Sequence, residues 1–236
     1  MPQTRAVLCD LDDTLFDHWR CTRGALMELR ALESSLAGWP LEELERHHRR
    51  ALEAWHLRVL SGERSIDEAR IGRFRELLTM AGADRAAERA VDVAAAYRRA
   101  YARTWHPVAG ALDLAAAIKS AGVTLVIVTN NVVVEQRLKL SRCGLDPYVD
   151  ALVTSEEIGA QKPDAAIFAA ALDRAGASAA DAVMLGDAWH TDVIGAQRAG
   201  IRPVWLNRFG ETSADPTVVE LLSLEPATSA LKALLP

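Results

Sequence analysis

Two apolar segments of this sequence are each followed by a pair of carboxylate side chains, and the two pairs could act together in one reaction. Asp10 and Asp12 come at the end of the first segment, AVLCDLD, and Asp187 and Asp192 follow the second, AVMLG. A buried carboxylate without a partner costs free energy, so these groups require compensating positive charge. Four carboxylates and the ammonium of Lys162, four negative charges against one positive, leave a formal charge of −3. A hard divalent cation with oxygen ligands, above all Mg²⁺, is the natural counterion.

The same residues are suited to phosphoryl chemistry. A bound Mg²⁺ keeps coordination positions open for phosphate oxygens, and Thr129 and backbone amides at helix N-termini can hydrogen-bond those oxygens. Lys162 can neutralise their charge. One carboxylate close to the metal can attack phosphorus, and a second, with a pKa raised by like-charged neighbours, can carry a proton. The pattern therefore predicts a metal-assisted site that acts on a phosphoryl group.

The elements that must position these side chains are five short apolar segments rich in β-branched residues. None of them alternates polar and apolar residues, which is typical of strands buried on both faces of a parallel sheet. Predicted helices separate the last four, and the alternation of strand and helix predicts a doubly wound α/β fold. The predicted strands cover 6–10, 124–130, 151–155, 182–187 and 203–207, and the helices cover 132–142, 164–176 and 190–199.

The carboxyl ends of these strands carry the polar residues. In an open parallel sheet, ligands bind beyond those ends. Thr129 and Asn130 end the second strand, and Lys162 comes just before a predicted helix, where a cation is unfavourable unless an anion is near. We therefore expect Thr129, Asn130 and Lys162 to converge with the aspartates, with Asn130 as a further phosphate contact. Asp13 is expected to be a turn residue and His190 an exposed residue at a helix start.

A long segment without strand patterns separates the first two strands. Residues 20–37, 41–60, 66–82 and 84–103 combine helix-forming residues with apolar positions at three- and four-residue spacing. The sequence therefore predicts an inserted helical domain at 17–104 and a discontinuous core made of 1–16 and 105–236. Within the insertion, the tryptophans are expected mainly to pack, and Trp55 and Arg73 are the first candidates for substrate contact.

Four of these motifs together resemble those of the haloacid dehalogenase (HAD) superfamily. They are DLDDT at 10–14, the threonine that ends the second strand, the lysine before a proline, and GDAWHTD at 186–192. The resemblance implies a HAD-like Rossmannoid core, and the inserted helices resemble the superfamily's α-helical C1 cap. It also implies that Asp10 is the nucleophile that forms an aspartyl-phosphate, and that Asp12 is the acid that protonates the leaving oxygen and then activates water.

The resemblance further implies a ligand set. Mg²⁺ would be bound by Asp10, the carbonyl of Asp12 and Asp187, with Asp192 in a supporting position, and Thr129 and Lys162 would bind the phosphate. Dehalogenating members lack an acid at the position of Asp12, because halide leaves without a proton. Phosphoglucomutase-type members usually carry glycine where Asp13 stands.

The chain therefore resembles the phosphatase branch. The stretches DLDDTLFD, VTNN and WHLRVLSGERSIDEARIGRF look closer to pyrimidine 5′-nucleotidase-like and N-acylneuraminate-phosphatase-like members. We expect a Mg²⁺-dependent phosphatase that hydrolyses a small soluble phosphomonoester, either a nucleoside monophosphate or a sugar phosphate. The alternatives within the fold are a dehalogenase or a phosphomutase. Alternatives of another class are a non-catalytic regulatory protein and a phospho-acceptor signalling domain, since a fold does not by itself imply a function.

The composition of the chain limits the classes of partner that it is expected to bind. The net charge of −5 argues against a nucleic-acid or acidic-membrane partner. The three cysteines form no CxxC pair, which fits a reducing cytosol. No apolar stretch reaches the roughly 20 residues needed to cross a bilayer. We expect a cytoplasmic protein, monomeric or homodimeric, whose partner is a small phosphorylated metabolite.

Overall fold

A computed structural model describes residues 4–235 and divides the chain into two compact units. The first unit runs to Asp17 and resumes at His106, and the second unit is His18–Trp105. The predicted domain boundaries lie one residue before each of these points. Among the described residues, no helix has both the length and the apolar character that a membrane span requires.

The first unit is built on a parallel sheet, which confirms the predicted doubly wound α/β fold. The strands lie in the order β3-β2-β1-β4-β5-β6, and every neighbouring pair is parallel. The described residues contain a sixth strand that the sequence did not predict, because it has three residues and its side chains are exposed or half-buried. The strands are β1 (Ala6–Cys9), β2 (Thr124–Thr129), β3 (Ala151–Thr154), β4 (Ala182–Gly186), β5 (Arg202–Leu206) and β6 (Val219–Leu221).

The centre of the sheet explains why its strands read as continuous apolar runs. Strand β1 is buried along its whole length and lies between β2 and β4. Its last residue, Cys9, is in register with Ile127 of β2 and Leu185 of β4. Chain segments that leave these three strands therefore start side by side at one edge of the sheet.

Helices follow the strands of the first unit and make up the second unit. The helix predicted at 190–199 differs from the expectation, because it starts as a π-helical turn over Trp189–Val193. The second unit contains α1 (His18–Leu32), α2 (Ser34–Ala37), α3 (Leu41–Leu60), α4 (Ile66–Met80) and α5 (Ala86–Arg103). The first unit contains α6 (Ala111–Ser120), α7 (Val133–Arg142), α8 (Ser155–Ile158), α9 (Ala165–Ala175), α10 (Ile194–Arg198) and α11 (Ala227–Leu234).

Trp55 forms part of the core of the helical unit. Its side chain is 6% exposed and packs with Ala51 and Ala69, and its indole N–H donates a hydrogen bond of 3.0 Å to Glu76. A Cβ on Gly72 would lie 2.2 Å from the indole ring, so α4 approaches the tryptophan closely. The expectation that Trp55 is a candidate for substrate contact is therefore replaced by a packing role.

Candidate active site

Asp10 is the first residue after β1 and lies at the centre of the site. Its backbone N–H donates to the carbonyl of Leu185 at 2.9 Å, which fixes the residue beside the end of β4. The carboxyl group is buried, and its Oδ1 lies 2.5 Å from Nζ of Lys162. Burial, with added repulsion from Asp192 and Asp12, raises the pKa of Asp10 to about 7 although Lys162 opposes the shift.

Lys162 connects Asp10 to a second carboxylate. Its side chain is 3% exposed, and Nζ lies 2.7 Å from Oδ1 of Asp192. Although burial alone lowers the pKa of Lys162, the ion pairs with Asp10 and Asp192 raise it above the ordinary value. The side chain is therefore a fixed ammonium between two carboxylates.

Asn130 holds the backbone of Lys162. Its Nδ2 donates to the Lys162 carbonyl at 2.9 Å, and the Lys162 backbone N–H donates to its Oδ1 at 2.7 Å. Both polar atoms of the amide thus contact the lysine backbone. The Asn130 side chain therefore positions Lys162, and the phosphate contact expected of Asn130, by backbone or side chain, stays a prediction.

Asp187 and Asp192 belong to the loop and π-helical turn that follow β4. Asp192 is buried, and its Oδ2 accepts a hydrogen bond of 3.0 Å from the backbone N–H of Ala188. Asp187 is half-buried, and its Oδ1 accepts a hydrogen bond of 3.0 Å from Thr14. A Cβ on Gly186 would lie 2.3 Å from Oδ2 of Asp192, so only glycine permits this close approach. The end of β4 therefore packs directly against the Asp192 carboxylate of the turn that follows it.

Three of these carboxylates can share a cation. Asp10, Asp187 and Asp192 each offer an oxygen, and the three oxygens lie within 4.8 Å of one another. Burial, followed by repulsion from Asp10 and Asp192, raises the pKa of Asp187 well above its ordinary value. Oxygen donors crowded in this way fit a hard divalent cation, which would keep them ionised.

Asp12 lies in a separate network that the sequence analysis missed. Its Oδ1 is 2.5 Å from Nζ of Lys139, and its Oδ2 accepts a hydrogen bond of 2.8 Å from Nε2 of Gln136. Asn131 donates a longer bond of 3.4 Å to the same Oδ2. Gln136 and Lys139 are one turn apart on the buried face of α7, although both residue types usually face water. In the sequence, two polar residues at this spacing indicate a helix face exposed to water, so the pattern gave no signal of this network.

The second buried lysine changes the charge of the site. Four aspartates, at positions 10, 12, 187 and 192, now face two ammonium groups, Lys139 and Lys162. Four negative charges against two positive ones leave −2, where the sequence analysis counted −3. A divalent cation would balance this charge.

Thr129 and the remaining candidates occupy defined positions. Thr129 ends β2, is buried, and accepts a hydrogen bond of 2.7 Å from Gln136. Asp13 has a positive φ of 64°, which aspartate tolerates in turns, and its carbonyl accepts a bond of 3.0 Å from Arg208. His190 is exposed within the π-helical turn.

The arrangement separates two carboxylates by environment. Asp10 is buried beside Lys162 and the candidate cation site, whereas Asp12 is only half-buried and contacts its own lysine. Two carboxylates in different surroundings can take different parts in one reaction, one as a nucleophile and the other as a proton carrier.

Comparison with known proteins identifies relatives of this chain. A family model for haloacid dehalogenase-like hydrolases matches residues 4–200. The chain is 31% identical over 213 residues to a ribulose-1,5-bisphosphate 5-phosphatase of Halopiger xanaduensis, which covers 89% of the chain and 87% of that protein. It is 38% identical over 113 residues to the pyrimidine 5′-nucleotidase YjjG of Escherichia coli, covering 48% and 50% of the two chains.

A solved structure extends the similarity to nearly the whole chain. The HAD hydrolase YfnB of Bacillus subtilis, in a magnesium-bound form, is 27% identical, with a TM-score of 0.79 over 98% of this chain and 99% of that one. The resemblance to the superfamily, including nucleotidase-like relatives, is confirmed.

Proposed function

This chain belongs to the haloacid dehalogenase-like hydrolase family, and we propose that it is a Mg²⁺-dependent phosphatase acting on a small phosphomonoester through an aspartyl-phosphate at Asp10. The observation that carries the proposal is that Asp10 pairs with Lys162 whereas Asp12 pairs with Lys139, so the two carboxyl groups lie in different surroundings. A dehalogenase has no need of a second, positioned carboxyl group, because halide leaves without a proton.

The carboxylates of Asp10 and Asp187 and the carbonyl of Asp12 form the proposed ligand set, with Asp192 in a supporting position. The crowding of the Asp10, Asp187 and Asp192 carboxylates supports this assignment, and so does the magnesium in the related YfnB structure. When bound, Mg²⁺ would act as a Lewis acid and stabilise the charge on phosphoryl oxygens.

The first half of the reaction uses both aspartates. An oxygen of Asp10 attacks phosphorus while the bond from phosphorus to the ester oxygen breaks. Asp12, protonated, gives its proton to that oxygen, so the leaving group departs as an alcohol. Lys162, fixed by Asp192 at 2.7 Å, neutralises phosphoryl charge next to the nucleophile.

The second half regenerates the enzyme. Asp12, now a carboxylate, takes a proton from water, whose oxygen attacks the phosphorus of the aspartyl-phosphate. The bond between phosphorus and the Asp10 oxygen breaks, and inorganic phosphate leaves. Thr129, at the end of β2, contacts the phosphate, and Asn130 keeps Lys162 in place through its backbone.

The substrate is proposed as a small phosphorylated metabolite of the nucleoside monophosphate or sugar phosphate class. One relative is named for a phosphorylated sugar and another for a pyrimidine nucleotide, which supports both classes. We propose that the helical unit, His18–Trp105, is the C1 cap that selects between them.

The test is a panel of phosphate esters with three parallel readouts. The wild type should release inorganic phosphate in the presence of Mg²⁺. EDTA should stop this release, and Asp10→Asn should release none. Halide release from 2-haloacids and isomerisation of sugar phosphates are measured on the same protein. Activity in either of those assays, without phosphate release from any ester, would assign the chain to the dehalogenase or phosphomutase branch.

A further inference from the structure

Lys139 is a buried ammonium to which the reaction described above gives no role. Its side chain is 1% exposed in the middle of α7, and Nζ lies 2.5 Å from Oδ1 of Asp12. The same ammonium lies 4.8 Å from the centre of the Phe16 ring, close enough for a cation–π contact. The carboxylate and the ring thus restrict the lysine from two directions.

Gln136 completes the contact with the second oxygen of Asp12. Its Nε2 is 2.8 Å from Oδ2 of Asp12 and 2.7 Å from Oγ1 of Thr129. An ionised carboxylate only accepts hydrogen bonds, which is consistent with the amide nitrogen facing Asp12. Each oxygen of Asp12 therefore has its own hydrogen-bond donor. Gln136 and Lys139, both on α7, together fix the plane of the carboxylate.

Stability alone gives no reason for this arrangement. Burying a lysine costs free energy of desolvation, and buried ion pairs replaced by well-packed apolar residues often leave a protein equally or more stable. A methionine at position 139 would fill a similar volume without that cost. The contact is explained if the orientation of Asp12 matters more than the stability of α7.

We infer that Lys139 and Gln136 are positioning residues, which hold the Asp12 carboxyl in the orientation required for proton transfer. The inference rests on the proposed function, in which Asp12 carries the proton. Neither residue touches the substrate in this scheme. Lys139 acts through Asp12, whereas Gln136 also contacts Thr129, so Lys139 provides the direct test.

The test is a double-mutant cycle on the full-length protein with Mg²⁺. Lys139→Met, Asp12→Asn and the double variant are compared on p-nitrophenyl phosphate, whose leaving group needs no proton, and on an alkyl phosphate that the wild type hydrolyses. The matched control is Lys119→Met, which removes an exposed lysine from α6.

The measured quantity is the single-turnover rate constant for leaving-group release, which precedes the attack of water. Lys139→Met should lower this rate constant for the alkyl phosphate by about tenfold or more, part of the roughly 10²–10⁴-fold that a positioned acid supplies. It should change the rate constant for p-nitrophenol release by less than about threefold, because a leaving group that needs no acid gains little from one. In the Asp12→Asn background, Lys139→Met should cause no further loss, since the group it positions is already inactive. Lys119→Met should match the wild type on both esters.

Two results would overturn the inference. One is an equal effect of Lys139→Met on both esters, including no effect on either. The other is an additional loss in the Asp12→Asn background as large as in the wild type. If Lys139→Met does not fold, Lys139→Leu undergoes the same cycle with the same expected outcomes. A wild type that releases no phosphate would instead refute the proposed function, so the two failures are distinguishable.

Discussion

Replacing Gly186 by alanine tests the local structure that carries Asp192. The new Cβ would lie 2.3 Å from Oδ2, 2.4 Å from Cγ and 2.5 Å from Cβ of Asp192, so the whole side chain has to move and not only its tip. Ordinary van der Waals contact starts near 3.4 Å, which requires a shift of about 1 Å. Asp192 is buried and bonded to Lys162 at 2.7 Å and to the Ala188 N–H at 3.0 Å, so a shift of this size weakens both contacts.

The expected magnitude follows from overpacking. Inserting a methyl group into a packed site costs about 1–3 kcal/mol of unfolding free energy, which lowers the melting temperature by roughly 2–4 °C per kcal/mol in a chain of this size. Because Asp192 supports the proposed cation site, Mg²⁺ affinity should fall by about 10–100-fold. Thermal unfolding and calorimetric Mg²⁺ titration measure the two effects.

A matched glycine provides the control. A Cβ on Gly38 meets no atom within 4 Å, and its φ of −78° suits any residue. Gly38→Ala should therefore stay within about 0.5 kcal/mol of the wild type. If Gly186→Ala and Gly38→Ala had the same melting temperature and the same Mg²⁺ affinity, the description of the end of β4 as a close-packed support for Asp192 would be wrong.

Three further predictions concern single residues. Asp12→Asn should slow formation of the aspartyl-phosphate from alkyl phosphates about 10²–10⁴-fold, with a smaller effect on p-nitrophenyl phosphate; equal losses in the two single-turnover assays of leaving-group release would remove the acid role. Without metal, Asp10 with a pKa near 7 retains a proton that the unfolded chain has released. The free energy of unfolding should therefore fall as the pH rises from about 4 to about 7, by up to about 1.4 kcal/mol per pH unit. Thermal melts in EDTA should show a shallower fall for Asp10→Asn, and an unchanged slope would contradict the assignment. Trp55→Ala should destabilise the helical unit by about 3–5 kcal/mol in chemical denaturation, because the indole is buried; a loss below about 1 kcal/mol would argue against its packing role.

The parts of the molecule that could be predicted depend on local pattern. Continuous apolar runs predicted the five longer strands, and the rule that parallel strands present their carboxyl ends together predicted that Asp10, Lys162 and Asp192 would meet. The structure places these three within ion-pair distance. Strand β6 was missed because a three-residue exposed strand has no hydrophobic pattern to detect.

The second lysine could not be predicted from pattern in the same way. A glutamine and a lysine one turn apart on a helix normally indicate a face exposed to water. Only the packing of α7 shows that Gln136 and Lys139 are buried and contact Asp12. Asn130 is similar, because its contact with the Lys162 backbone joins two loops 32 residues apart in sequence.

The central claim is that Asp10 receives the phosphoryl group, and mass spectrometry of rapidly quenched reactions tests it most directly. With Asp12→Asn, which lacks the base that activates water, the peptide containing Asp10 should carry the mass of one phosphoryl group, and hydroxylamine should remove it. Asp10→Asn should show neither the modified peptide nor phosphate release. Release of phosphate by Asp10→Asn at the wild-type rate, with no modified peptide in any variant, would contradict the account.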